Sequence, residues 1–139
     1  MIDLTSDFGR KVKQYIDTQD VIWFTTIGSD LTPQPRPVWF VWDGATFLIF
    51  SQPDHKVRHV STHPRVALNF NTDSETGDKD VIVFSGTAMI DTSAPPAHNM
   101  PAYFQKYREG IAGLKMTPEE YGEKYSVAIR VTPAHVRGW

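Results

Sequence analysis

The spacing of apolar positions near the start of the chain predicts one leading helix. Four apolar residues recur there at i, i+4, i+7 and i+8, which is the spacing of one face of an α-helix. They are Phe8, Val12, Tyr15 and Ile16. Ser6 or Asp7 would cap a helix of about three turns.

Beyond this helix, runs of β-branched and aromatic residues indicate strands. The predicted strands are Val21–Ile27, Pro37–Trp42, Thr46–Phe50, Arg65–Asn71, Val81–Ile90 and Ser126–Thr132. Asp43-Gly44 predicts a tight hairpin, because a type I′ turn needs positive φ at both central residues. No βαβ pattern repeats, so a mainly antiparallel sheet is expected. Strands such as Val21–Ile27 are apolar on both faces, which favours a small barrel packed against helices or a partner.

Three further segments break the series of strands. Pro53–His63 predicts a short helix that stops before Pro64, since proline disfavours helical geometry in the residue before it. An amphipathic segment surrounds Tyr103, Phe104 and Tyr107, and the run Thr117-Pro118-Glu119-Glu120 fits a capping box at the start of another helix. The polar stretch Thr72–Lys79 predicts a loop.

Composition narrows the class of protein. A length of 139 residues fits a single domain, residues 1–139. The 14 basic and 16 acidic residues leave a net charge of −2, which argues against a surface built to hold nucleic acid or an anionic membrane. The absence of cysteine excludes disulfides, zinc–thiolate sites and cysteine nucleophiles. Without a secretory-signal pattern or an apolar run of membrane-spanning length, a cytoplasmic protein is expected.

No common catalytic or metal motif stands out in the sequence. It contains no G-x-S-x-G elbow, G-x-G-x-x-G loop, phosphate-binding P-loop or H-E-x-x-H helix. A borrowed cofactor is therefore the more plausible source of any chemistry, and no catalytic residue is assigned. His55, His59 and His63 recur at helical spacing, but Lys56 and Arg58 would repel a cation, so no metal site is predicted.

The same segment is better suited to an anion. Lys56, Arg58 and Arg65 bring three positive charges, and no acid lies between His55 and Arg65. The segment follows a strand end, so the backbone N–H groups that open its helix would face a ligand there. A phosphate held by Arg36, Lys56 and the hydroxyl of Ser51 is chemically coherent, with solvated surface charges as the alternative. The net charge of −2 thus hides a basic segment, opposed by the acidic segment Asp73–Asp80.

Two other features allow more than one interpretation. Gly86 lies inside a predicted strand, which indicates either a β-bulge or the close approach of a ligand or backbone. No later element could bury Trp139, so it either caps the barrel or reaches a partner or ligand. The other tryptophans are interpreted as core residues; they are Trp23, Trp39 and Trp42.

Four sequence blocks carry a resemblance to a known family. They are P-R-P-V-W-F-V-W-D-G, S-Q-P-D-H-K-V-R-H-V, H-P-R-V-A-L-N-F and V-F-S-G-T-A. Together they resemble the split-barrel flavin-binding proteins related to pyridoxamine 5′-phosphate oxidase, above all the deazaflavin (coenzyme F-420)-dependent branch. The resemblance spans almost the whole chain. It implies a six-stranded Greek-key split β-barrel, mainly antiparallel, that forms a homodimer with two cofactor sites at the subunit interface.

The resemblance also implies cofactor-binding residues. Arg36, Val38 and Trp39 correspond to the strand under the ring, and Phe50 and Ser51 to the strand end beside the ribityl-phosphate arm. The remaining candidates are the phosphate-binding Lys56, its neighbour Arg58 or alternatively His55, the ring-side Ser85, Gly86 and Thr87, and Trp139 in the basic, aromatic tail.

The implied function is oxidoreduction. A bound deazaflavin, coenzyme F-420, would exchange hydride with a small organic substrate. The alternatives are an FMN-binding oxidase or reductase and a non-catalytic flavin carrier or sensor. Arg58 and Arg65 would suit the anionic tail of the deazaflavin, whereas FMN needs only Arg36 and Lys56. The carboxy-terminal residues that hold pyridoxal phosphate in the true oxidase have no match here, so pyridoxamine phosphate oxidation is not expected.

Overall fold

The computed structural model describes residues 1–72 and 80–139. Apart from Thr72 and Asp80, the predicted loop Thr72–Lys79 and the acidic segment Asp73–Asp80 lie outside the described residues. The helices are α1 (Asp7–Thr18), α2 (His55–Thr62), α3 (Pro101–Gly113) and α4 (Pro118–Lys124), with one 3-10 turn at Ala97–Asn99. The strands are β1 (Val21–Ile27), β2 (Pro33–Trp39), β3 (Val41–Trp42), β4 (Phe47–Ser51), β5 (Arg65–Asn69), β6 (Ile82–Ile90) and β7 (Val127–Gly138).

The strands form one antiparallel sheet that curls on itself. Their order across the described part of the sheet is β2-β1-β5-β6-β7-β4-β3, and every neighbouring pair is antiparallel. The edge strands β2 and β3 are separated in sequence by Phe40 alone. Because one residue cannot span a flat sheet, the two edges must lie close together, and the sheet closes into a split β-barrel. The predicted antiparallel barrel is confirmed.

The predicted strand count was wrong by one. The run predicted as a single strand, Pro37–Trp42, is divided at Phe40 between β2 and β3, so seven strands are seen among the described residues instead of six. Helix α3 holds this crossover. The hydroxyl of Tyr107 accepts the Phe40 N–H and lies 2.7 Å from the carbonyl oxygens of both Phe40 and Asp20. The ammonium of Lys106 lies 3.0 Å from the Phe40 carbonyl oxygen and 3.6 Å from the centre of its ring.

The last strand also runs further than predicted. Pro133 was expected to end it, but β7 continues to Gly138. Pro133 lies opposite Gly86, next to a bulge in which Ala134 of β7 has no partner between Ser85 and Gly86, and a bulge tolerates the missing N–H of proline. A Cβ atom at Gly86 would overlap the backbone at Thr132, so the glycine is explained by close backbone approach. The bulge interpretation of Gly86 is therefore supported without a ligand.

The helix starts agree with the sequence predictions. Ser6 caps α1 by accepting the N–H of Gly9 at 3.0 Å, and Val12 and Ile16 are buried against the sheet. Thr117 and Glu120 form the predicted capping box of α4. Among the helices that the structure describes, none is long and apolar enough to cross a membrane.

Two apolar clusters fill the molecule. One lies inside the curled sheet and against α1, and the other packs α3 and α4 onto β4. Trp39 and Trp42 pack against these clusters but stay partly exposed. Trp23 is half-buried on the outward face of β1, where its indole N–H donates to the Asn71 side chain at 2.8 Å, so it is not a core residue.

Candidate functional site

A pocket of about 350 Å³ opens where β2, β4, α2 and α4 meet. Its apolar side is formed by the rings of Trp39, Tyr121 and Tyr125, here called the aromatic wall. Its opposite side is formed by Ser51, Asp54 and Lys56, here called the polar end. A cavity that joins flat apolar rings to a cation suits a planar ligand with an anionic arm.

The aromatic wall is a continuous stack. The indole of Trp39 lies parallel to the ring of Tyr107 behind it, with 4.6 Å between centroids and 4° between planes. Tyr121 stacks on Trp39 at 5.8 Å, and Tyr125 stacks on Tyr121 at 4.4 Å. Gly110 of α3 makes room for the indole, since a Cβ atom there would lie 2.8 Å from Trp39. The wall is therefore held in place from behind by α3.

Burial keeps Tyr103, Tyr107 and Tyr121 neutral. The hydroxyls of Tyr103 and Tyr121 are 2.7 Å apart and both are buried. Burial raises the pKa of Tyr121 to about 12, and it raises the pKa values of Tyr103 and Tyr107 as well. At neutral pH these three rings, of which Tyr121 belongs to the wall, are consequently uncharged.

The polar end is organised around Asp54, the N-cap of α2. One carboxylate oxygen accepts the backbone N–H of Lys56 at 3.0 Å, and the other accepts its ammonium at 2.6 Å. The hydroxyl of Ser51 lies 3.4 Å from the same carboxylate and donates to the Gln52 carbonyl oxygen at 2.7 Å. The Lys56 side chain is only 12% exposed, so its ammonium is held at the pocket by this pair.

Arg36 contributes charge to the polar end. Burial pushes the pKa of Asp54 upward, but the hydrogen bonds from Lys56 and the charges of Lys56 and Arg36 outweigh it, and the pKa lies below its ordinary value. Asp54 is therefore ionised at neutral pH. The combined formal charge of Arg36, Asp54 and Lys56 is then +1.

The three histidines of the α2 segment have separate environments. His59 is partly buried, and its Nδ1 lies 2.9 Å from the hydroxyl of Thr26. Burial and the charge of Arg36 lower the pKa of His59, which favours the neutral ring. His55 pairs with Arg58, and His63 caps the helix end before Pro64 as predicted. No group of three or more His, Asp or Glu residues suited to a metal ion occurs within residues 1–72 and 80–139.

The structure brings together five of the predicted cofactor-binding residues. Val38, Trp39, Phe50, Ser51 and Lys56 all line the pocket. Arg36 lies close by, as its effect on Asp54 shows.

The other predicted residues lie outside the lining of this pocket. Arg58 is exposed on α2, and Ser85, Gly86 and Thr87 belong to β6. Trp139 pairs through its backbone with Val81, and its side chain is 71% exposed, so it does not cap the barrel.

Seven of the residues that line the pocket were not predicted from the sequence: Val21, Pro37, Gln52, Asp54, Leu114, Tyr121 and Tyr125. Asp54 lies one position before the segment examined for acids, and its cap position before α2 was the available signal. Tyr121 and Tyr125 are four residues apart, a spacing that puts two rings on one side of a helical turn. Leu114 follows the end of α3 and carries no comparable signal.

A second cavity of about 300 Å³ lies on the other side of Phe50. The carboxylate that lines it, Asp91, is ion-paired with Arg130 at 2.8 Å. Hydrogen bonds from Ser93 and Arg130 lower the pKa of Asp91 to about 2. This acid is thus already neutralised by its neighbours and stabilises the turn after β6.

Comparison with known proteins agrees with this architecture. Residues 8–139 match the family model described as pyridoxamine 5′-phosphate oxidase. Among solved structures, an F420 reductase superposes with a TM-score of 0.68 at 20% identity, covering 90% of this chain and 94% of that chain. No curated protein matches the chain.

Two further solved structures show how varied proteins of this shape are. An FAD-binding protein from Mesorhizobium loti gives a TM-score of 0.68 at 13% identity, with 93% of this chain and 90% of that chain covered. The haem storage protein HutZ from Vibrio cholerae gives 0.64 at 12% identity, with 93% and 92% covered. At such identities the likeness establishes the fold alone.

Proposed function

The chain belongs to the pyridoxamine 5′-phosphate oxidase family, and on that premise we propose that it is an oxidoreductase with a bound flavin-type cofactor. The leading cofactor is the deazaflavin coenzyme F-420, and FMN is the alternative. The observation that carries the proposal is that the aromatic wall and the polar end line one and the same pocket. When bound, such a cofactor supplies the hydride chemistry.

The residues present fit the ring of such a cofactor. The stacked rings of Trp39, Tyr121 and Tyr125 line the pocket with apolar ring atoms, and Val38 and Phe50 line it as well. These side chains would orient the ring and exclude water from it. Because burial keeps the Tyr121 hydroxyl protonated, this ring would act by shape and packing, and no protein base is assigned.

The polar end fits the phosphate arm. Lys56 offers an ammonium and the first turn of α2 offers backbone N–H groups, while Ser51 offers a hydroxyl. Arg36 adds a second positive charge nearby. Arg58 and Arg65 lie on the exposed surface of the same region, where they would favour a longer anionic tail.

We propose a homodimer as the working form. Two rows of paired residues run across β1, β5 and β6 on the outward face of the sheet. One row is Trp23, Asn69 and Val83, and the next row on the same face is Thr25, Ala67 and Ser85. These residues are half-buried in the single chain and carry no charge. A second copy would cover this uncharged, half-buried surface. Light scattering should give about twice 15.8 kDa, and a species of 15.8 kDa would contradict the dimer.

Fluorescence titration of the apo protein tests the cofactor. Coenzyme F-420 and FMN are each titrated against the wild type and Lys56→Gln. We expect binding to the wild type and a loss of about tenfold or more in the variant, since one charge-assisted hydrogen bond is removed. Equal binding by the two proteins would contradict the phosphate assignment, and binding of FMN alone would replace the deazaflavin with FMN.

Turnover separates an enzyme from a carrier. The reduced, cofactor-loaded protein is mixed with a panel of enones and quinones, and reoxidation of the cofactor is followed by absorbance. Sustained turnover above that of the free cofactor is expected for an oxidoreductase. Its absence across the panel, with the cofactor still bound, would favour the non-catalytic carrier or sensor.

A further inference from the structure

Asp54 places a negatively charged carboxylate at the polar end, and a phosphate-binding site ordinarily has no negative charge there. Its carboxylate contacts the ammonium of Lys56 at 2.6 Å and the Lys56 N–H at 3.0 Å. It also lies 3.4 Å from the hydroxyl of Ser51. The ammonium and the N–H of Lys56 are groups that a phosphate in the pocket would use, so the carboxylate and the phosphate would compete for them.

The charge of Asp54 must therefore be counted with any ligand that enters. The side chain is 32% exposed and lines the pocket together with Lys56. Its lowered pKa keeps it ionised at neutral pH. Whether the carboxylate stays on Lys56 or turns away, it remains within a few ångströms of a phosphate held there. At such distances the repulsion between like charges near a protein surface is substantial.

The penalty depends on how many charges the phosphate carries. A phosphomonoester such as that of FMN has a second pKa near 6 and is mostly a dianion at neutral pH. The phosphate of coenzyme F-420 is a diester and holds one negative charge. Arg36, Asp54 and Lys56 together supply a charge of +1, which balances a monoanion and leaves a dianion one charge in excess.

We propose that Asp54 is a specificity-determining residue that favours a phosphodiester monoanion over a phosphomonoester dianion at the polar end. The inference rests on the proposed cofactor site and deepens it, because it assigns the choice between the two cofactors to one side chain. The preference arises because the ion pair with Asp54 offsets the positive charge of Lys56 before a ligand binds. The same contact holds the lysine in the pocket.

Asp54→Asn tests the proposal with little risk to the fold. Asparagine caps helices as well as aspartate does, so α2 keeps its N-cap while the charge is lost. Dissociation constants are measured for FMN, coenzyme F-420 and riboflavin, which has no phosphate. We expect FMN to bind about tenfold more tightly to the variant, coenzyme F-420 threefold or less, and riboflavin within twofold of wild type.

Matched variants separate local from general effects. Asp7→Asn removes the same charge from a fully exposed position on α1 and should change none of the three affinities. Asp54→Ser, another good cap, should repeat the gain for FMN if Asp54→Asn folds poorly. Lys56→Gln in the Asp54→Asn background should abolish the gain, since the lysine is the group that Asp54 neutralises.

The proposed cofactor site and the selective role of Asp54 can be contradicted separately. If Lys56→Gln changes all three affinities equally, or if none of the ligands binds, the proposed cofactor site is wrong and the inference falls with it. If Lys56→Gln weakens the two phosphate ligands but Asp54→Asn shifts them by one common factor, or weakens FMN, the site stands. Asp54 would then be a positioning residue for Lys56 without selectivity.

Discussion

The aromatic wall and the polar end border one pocket but are built in opposite ways. The wall joins β2 to α4, elements more than 70 residues apart in sequence, and its Tyr121 is 3% exposed. The polar end comes from a single stretch of six residues, Ser51 to Lys56, and its Asp54 side chain is 32% exposed. One side is thus a product of tertiary packing and the other of local geometry.

Because of this difference, we expect the aromatic wall to contribute mainly to the stability of the fold and the polar end mainly to the selectivity for ligands. A change in the wall disturbs rings that are packed against each other and against α3, so it alters the free energy of unfolding together with the pocket. A change at the polar end replaces a partly exposed charge and leaves the packing alone. The pocket's shape is therefore constrained by folding, while its charge is free to vary.

The largest expected effect comes from the hydroxyl behind the wall. Tyr107→Phe keeps the ring that stacks on Trp39 but leaves the buried N–H of Phe40 without the oxygen that accepts it. We expect the free energy of unfolding to fall by about 2 kcal/mol, the cost of a buried unpaired donor. Urea denaturation monitored by tryptophan fluorescence measures the loss.

Two variants calibrate this comparison. Tyr125→Phe changes the same atom at the edge of the wall, where the residue is half-exposed, and should cost less than about 0.5 kcal/mol. Lys56→Gln at the polar end should cost a similarly small amount. If either variant destabilises the protein as much as Tyr107→Phe, the separation between a packed wall and a variable polar end does not hold.

The same contrast explains what sequence could predict. Ser51 and Lys56 were predictable because strand end, helix start and cation follow one another along the chain. Asp54 was missed because the basic segment was taken to begin at His55, although the predicted helix Pro53–His63 already included Asp54. The wall was harder to predict, because the pairing of Trp39 with Tyr121 depends on where α4 packs, which no local pattern encodes.

The fold, like the pocket, was only partly predictable from the sequence. Alternation, turn residues and capping boxes predicted most elements, including the Thr117 cap of α4. The division of the strand at Phe40 was hidden because the residues on both sides of it are equally apolar. The extension of β7 past Pro133 was hidden because it depends on a bulge at Ala134 and on pairing with β6 around Gly86. Both errors arise where pairing between distant segments overrides local preference.

A smaller effect is expected where α3 touches the wall. Gly110→Ala places a methyl group 2.8 Å from the Trp39 indole, which is stacked between Tyr107 and Tyr121 and has little room to move. Gly113→Ala makes the same change near the helix end, where nothing lies within 4 Å.

The two alanine variants should differ in sign. Gly113→Ala should stabilise by about 0.5 kcal/mol through the better helix propensity of alanine. Gly110→Ala should destabilise by about 1 kcal/mol, since overpacking exceeds that gain, and should weaken flavin binding as the indole shifts. Thermal unfolding and flavin titration measure both effects. Equal stabilisation by the two variants would show that the wall yields more easily than its packing indicates.

A pH-dependent effect distinguishes Lys56 at the polar end from Lys106 on α3. Lys56 has a carboxylate partner, whereas Lys106 lies over the Phe40 ring, where burial lowers its pKa to about 8. Between pH 8 and pH 10 the unfolded chain therefore binds more protons at Lys106 than the folded chain, so stability rises with pH. We expect a rise of about 1 kcal/mol, reduced from the full value because the ammonium is partly exposed. Above pH 10 the raised pKa of Tyr121 reverses the slope, since the unfolded chain then loses the tyrosine proton first.

Urea denaturation across pH 7 to 10 tests this pH dependence of the free energy of unfolding. Lys106→Met should flatten the rise, and Lys56→Gln should leave it intact. A wild-type curve without any rise would show that Lys106 gives up its proton no earlier than an ordinary lysine.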